Sequence, residues 1–231
     1  MQTKPFTRAL ALLGIASLSI GISACSASSQ GLNSRKFDNL PAAKSGNSQS
    51  PPTLATAPTF NLDLSVDAAY AAIPHRRTAM DFEASNMPDQ DKRFLEVAFH
   101  LIDQGIRLRV TAYQNFSRSE ARSEVGDSQS ISDMDRLVDY LQNTEAPDSL
   151  SSYQGHLLRA LTDQRAFFQE WRTQGHQFQY GSPQTIGTHP KVQSASTALR
   201  QAYGILMETY PSEGNKNKGA FFDYHCALDF I

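Results

Sequence analysis

The sequence predicts an all-α fold: a four-helix bundle with additional short helices at its N- and C-terminal ends. Three observations predict it. Apolar residues recur at 3–4 spacing in several windows after residue 61. Proline, glycine and Ser/Asp signals bracket those windows as helix starts and stops. No window shows the sustained alternation of β-branched residues expected of a strand.

The first element is short. Ser65 caps Val66 to Ile73, and Pro74 stops it. The second helix runs from Pro88 to Ser117. Proline suits the first turn, and Asp89 and Asp91 sit where the helix dipole favours acids. Leu95, Phe99, Ile102, Ile106, Val110 and Tyr113 form its stripe, which Phe94, Ala98, Leu101, Leu108 and Ala112 widen to over half the circumference. A helix this apolar belongs at the centre. The third starts at Ser132, with Asp135 three residues on, and buries Met134, Leu137, Val138 and Leu141. The fourth runs from Leu150 to Thr173 through Tyr153, Leu157, Leu161, Phe168 and Trp171, with Gly175 as its C-terminal cap. The fifth begins at Pro190, carries Val192, Ala195, Leu199, Tyr203, Leu206 and Tyr210, and ends before Pro211. Residues 214–219 read as a turn, and the following AFFDYHCALDFI as a short helix packed on the bundle.

Before residue 61 the composition changes. Residues 26–60 hold seven Ser, four Pro and two Gly. They show no sustained apolar pattern and read as a disordered tether, too polar to offset its ordering entropy. The helical domain is therefore assigned to 61–231. Ahead of the tether, Lys4 and Arg8 precede an uncharged run from Ala9 to Ala24, which ends in Ile22-Ser23-Ala24-Cys25. The run is shorter than the ~20 apolar residues that span a bilayer.

This arrangement resembles a bacterial lipoprotein signal peptide, with basic start, apolar middle and a lipobox of aliphatic, small, small, cysteine. The resemblance implies removal of residues 1–24 and lipidation of Cys25, with palmitate among the acyl chains. It places the mature chain in the cell envelope, attached to the membrane through that lipid. Ser26 in second place implies the outer membrane, facing the periplasm. Two or more acyl chains are needed to hold a protein stably at a bilayer. With Cys25 so consumed, Cys226 is the one remaining thiol, which leads us to expect no intramolecular disulfide and a buried cysteine.

Charge excludes one class of partner. Without Lys4 and Arg8 the chain carries 19 Lys+Arg against 23 Asp+Glu, about −4. That offers no basic field for nucleic acid. Gly126-Asp127-Ser128-Gln129-Ser130 resembles the nucleophile block of the GDSL/SGNH hydrolases, but polar, helix-like sequence precedes it where a core strand should stand. Gly214 to Gly219 has the spacing of a phosphate-binding loop, yet Ala220 and Phe221 occupy the Lys and Ser/Thr positions.

Two constellations remain as ligand- or partner-binding candidates. Glu96, His100, Asp103 and Arg107 follow at +4, +3 and +4, forming one polar stripe opposite the apolar arc. They read either as a solvated face or as a polar cleft. His75, Arg76 and Arg77 follow the first helix, where they compensate its dipole or capture an anion. No catalytic set is assigned, and no cofactor is identified. The leading reading is a membrane-anchored lipoprotein whose helical domain binds an envelope protein or a small ligand. A metal- or haem-binding bundle is the alternative, suggested by six His, Met80, Met87 and the thiol.

Overall fold

A computed structural model describes residues 53–73, 75–117, 124–174 and 186–229, and every regular element among them is helical. In chain order these are α1 (Val66–Ala72), α2 (Asp89–Ser117), α3 (Glu124–Asn143), a 3₁₀ turn (Asp148–Leu150), α4 (Ser151–Gln174), α5 (Pro190–Thr209) and α6 (Asn215–Leu228). The fold is all-α.

Helix α2 takes the central place its wide apolar arc predicts. Leu95, Leu101, Ile102, Ile106 and Leu108 are fully buried, and the helix meets α1, α3, α4 and α6. Helices α3 and α4 run antiparallel. Their register is set by Arg172 Nη1 donating to Ser128 Oγ (3.0 Å), Arg165 Nε to Asp135 Oδ1 (2.7 Å) and Gln154 Nε2 to Leu141 O (2.7 Å). Helix α4 lies parallel to α2, as Phe94–Tyr153 at one end and Phe116–Phe168 at the other show. Midway, a Cβ on Gly105 would stand 3.1 Å from Leu228 Cδ1 and 3.3 Å from Leu161 Cδ2. Glycine there lets α2, α4 and α6 approach one another.

The C-terminal helix is more than an added cap. Helix α6 contacts both α5 and α2 and so bridges the first and last long helices. Phe221, Ala220, Ala227 and Leu228 are fully buried in it. Its end is held from three sides, two contacts to its last carbonyls and one to the Asp229 carboxylate. Arg109 Nη2 of α2 donates to Ala227 O (2.7 Å), and Gln164 Nε2 of α4 to Leu228 O (2.6 Å). Ser196 Oγ of α5 donates to Asp229 Oδ2 (2.7 Å). Orphan carbonyls at a helix end need such partners when buried, and a cation there also suits the dipole. Burial pulls the Arg109 guanidinium down to about 10, which leaves it charged at neutral pH.

Three expectations need correction. Helix α3 begins at Glu124, eight positions before Ser132, because its polar first turns lack the apolar spacing by which a helix is recognised. The segment 214–219 is not a free turn. Gly214 is the N-cap of α6, and the helix starts at Asn215. Asn217 is buried, its Nδ2 donating to Glu213 Oε2 (2.6 Å) and its Oδ1 accepting from Asp81 N (2.8 Å). Third, Cys226 is half-buried and disulfide-bonded, with its partner cysteine outside the described residues. The expectation of no disulfide assumed that lipid had consumed the other sulfur. Gly175, expected to cap α4, also lies outside the described residues.

Two stability predictions follow from these contacts. Replacing Gly105 by Val should lower stability by about 1–3 kcal/mol, the usual cost of overpacking a filled core. Denaturant unfolding measures it, and Gly105→Ala should cost less because alanine regains about 1 kcal/mol of helix propensity. His225 supplies the second. It is buried among Phe99, Tyr153 and Tyr203, its Nδ1 is 2.6 Å from Phe221 O, and its Nε2 has no partner among the described residues. Burial lowers its pKa from 6.5 to about 4. The unfolded chain thus binds a proton at a pH where the folded one does not. Stability from this residue is full above pH 6.5 and is lost as pH falls toward 4, on the order of 3 kcal/mol in all. Thermal melts between pH 7 and 4 should show a smaller decline in His225→Phe than in the natural chain.

Candidate functional site

Apart from exposed Glu96, the polar stripe of α2 faces neither open solvent nor an open cleft. The chain's own N-terminal segment lies over it. Residues 53–64 pass along the seam between α2 and α3, parallel to α2 and antiparallel to α3. At the start of this strap, Tyr140 of α3 lies 2.9 Å from Thr56 Oγ1 through its hydroxyl. His100 Nε2 sits 3.1 Å from Pro58 O; a carbonyl only accepts, so the ring donates. Phe60 is 5% exposed and sits within the main core, with the Arg136 guanidinium 5.2 Å from its ring centre. Arg107 then receives two carbonyls of the strap, donating from Nε to Leu64 O (2.7 Å) and from Nη2 to Leu62 O (3.2 Å). Its third branch, Nη1, is held by Gln104 Oε1 (2.7 Å).

Helix α1 turns the chain back onto α2, starting where Ser65 Oγ accepts from Ala68 N (3.1 Å). That places Tyr70 and Arg77 over Asp103. The carboxylate is 6% exposed and accepts from Tyr70 Oη (3.1 Å), Arg77 Nη2 (2.6 Å) and Arg77 Nε (3.4 Å). The fork-to-fork geometry is the stronger kind of charge-assisted bond. Arg77 also lies 3.9 Å from Asp67 and 5.8 Å from the centre of the Tyr70 ring. The hydrogen bond to Asp103 raises the Arg77 pKa, while burial and then the Asp103 charge raise that of Tyr70. Tyr224 of α6, stacked on Phe99 at 4.5 Å, is pushed up to about 12, first by burial and then by Asp103.

The two candidate clusters therefore meet, through Asp103 and Arg77. Three members of the stripe hold the strap and the segment after α1. Glu96 and Arg76 are exposed and take no part in it, and His75 is half-buried, its backbone N–H donating to Tyr70 O (3.2 Å). Neither the solvated face nor the polar cleft describes what the stripe does. The expected tether boundary at residue 60 likewise falls inside packed chain. A signal for the strap was present: Phe60-Asn61-Leu62-Asp63-Leu64 alternates, and burial follows it, with Phe60, Leu62 and Leu64 turned inward and Asn61 and Asp63 exposed.

Sequence reasoning placed Asp91 only as a first-turn acid and did not single out Glu213, yet both carboxylates are buried. Asp91 accepts from Ser149 Oγ (3.0 Å) and Tyr210 Oη (2.7 Å). Glu213 accepts from Ser85 Oγ (2.8 Å) and Asn86 N (3.0 Å), fastening the loop before α2 to the start of α6. Nothing in their sequence spacing announces these pairs, which are 58 to 128 residues apart in the chain.

Ser128 stands on helix α3 instead of after a strand, which removes the hydrolase resemblance. Among the described residues no three His, Cys, Asp or Glu side chains are grouped to hold a metal ion, and no helix is long and apolar enough to cross a membrane. Comparison with family models, curated proteins and solved structures gives no match to this chain.

The Asp103 clamp makes a direct prediction. Asp103→Ala leaves the Tyr70 hydroxyl and the partly exposed Arg77 without their acceptor, which should cost about 1–3 kcal/mol. Hydrogen exchange should quicken most in residues 58–77. An unchanged melting temperature with unchanged exchange there would count against the clamp.

Proposed function

We propose that this chain is an envelope lipoprotein, anchored through acyl chains on Cys25, whose helical domain binds a partner and catalyses no reaction. One observation carries the proposal: the basic start, apolar run and Ile22-Ser23-Ala24-Cys25 sequence. The anchor places the domain at the outer membrane, facing the periplasm. Two features support an exported location and a binding role. A disulfide at Cys226 suits an oxidising compartment outside the cytoplasm, so it supports export alone; within the chain it could join only Cys25, and so it competes with the anchor. The ionisable side chains of α2 best placed for chemistry are already engaged in holding main-chain carbonyls and a guanidinium.

The disulfide also sets the sharpest test. The sulfur of a lipidated Cys25 carries a thioether and is not available for a bond to Cys226. Cells expressing the chain should incorporate a palmitate analogue, and the processed protein should have the mass of residues 25–231 plus diacylglyceryl and acyl groups. Cys25→Ala should lose the label and accumulate as precursor or soluble protein. A processed chain without lipid, whose only two cysteines are joined to each other, would refute the anchor while leaving export intact.

A further inference from the structure

The geometry points to the α2–α3 seam as a peptide-binding groove that the chain's own residues 53–64 occupy in cis. The partner it fits is an extended segment carrying an aromatic residue followed by aliphatic residues at +2 and +4. This deepens the partner-binding reading above and rests on it.

How the strap is held defines what the groove recognises. His100 and Arg107 grip main-chain carbonyls of residues 58, 62 and 64, so they read the presence of a backbone and not the side chains along it. Side-chain selection falls to Phe60, the one large strap residue that is fully buried, with half-buried Leu62 and Leu64 beside it. Asn61 and Asp63 point outward and are free to vary. In extended-peptide recognition main-chain hydrogen bonds supply affinity and side-chain pockets supply specificity, the division of labour seen here. Besides a turn at its start, where Thr56 N donates to Thr53 O (3.1 Å) and Ala57 N to Leu54 O (3.2 Å), and a tight turn in which Leu62 N donates to Phe60 O (3.0 Å), the strap forms no helix or strand. It contributes no helix to the bundle, and a peptide of the same pattern can replace it.

A tethered occupant has an effective concentration in the millimolar range, so it excludes free peptides of ordinary affinity. The strap then acts as an autoinhibitory plug. A partner enters when the strap is loosened, or when it presents its segment at comparable local concentration.

The test uses the processed chain and a fluorescein-labelled synthetic peptide of residues 53–66. The natural protein should bind it weakly. Phe60→Ala, which removes the anchor from the strap and leaves the groove intact, should bind at least tenfold more tightly by fluorescence anisotropy. Phe60→Leu should fall between the two, and it carries the comparison if the alanine variant melts below working temperature. Adding Arg107→Ala to either variant, or replacing the peptide's phenylalanine by alanine, should abolish the gain. The inference is overturned if folded Phe60 variants bind no better than the natural chain. It is equally overturned if the alanine-substituted peptide binds as well, or if the variants only form dimers without taking up peptide. None of those failures touches lipidation or binding of a partner elsewhere on the domain, which palmitate labelling and cross-linking in cells assess separately.

Discussion

Helix α2 buries so much of its circumference that the remaining polar stripe has to be accommodated by protein, not water. Asp103 is the point where this constraint is sharpest. A carboxylate that is 6% exposed is costly to bury unless charge and hydrogen bonds meet it, and here Arg77 and Tyr70 do so from a segment before α2 in sequence. The position of α1, the return of the chain after it and the strap before it all follow from satisfying that stripe. Helix α1 and the segment around it thus serve as the polar half of α2's packing, while α3, α4 and α6 serve as the apolar half.

Such clamps do not add much net stability. Replacing a buried ion pair by apolar groups is often neutral, whereas removing one partner is expensive. Their effect here is to specify one arrangement. Main-chain carbonyls at 58, 62 and 64 fix the strap's register, and the guanidinium of Arg77 fixes how the chain leaves α1. At the opposite end, Asp91 and Glu213 do the same for the 3₁₀ turn, the end of α5 and the start of α6.

The long helices were legible because each carries its own signal: Pro88 before α2, Pro190 opening α5, and 3–4 apolar spacing throughout. What escaped was decided between distant parts of the chain. The strap is polar by composition, and its three inward positions, Phe60, Leu62 and Leu64, are too few to outweigh the Pro- and Ser-rich run before them. Their burial depends on a groove that exists only once α2 and α3 have paired. The stripe residues were singled out as a solvated face or a polar cleft, because a single helix cannot show what lies over its polar face. Residues 214–219 failed differently. Gly214 and Gly219 suggested a loop, yet the buried Asn217 and its bonds to Asp81 and Glu213 make that stretch a helix start.

Helix α6 closes the gap between α2 and α5, and its end is secured by Arg109, Gln164 and Ser196 from three earlier helices. It follows in sequence every helix it packs against. A chain emerging from its N-terminus therefore has no complete core until residues 215–228 have appeared, since Phe99 and the Gly105 contact region still lack their cover. Long-range contacts of this kind delay folding to the end of synthesis. The same closing helix that completes the bundle leaves a chain cut short before residue 215 without a finished core.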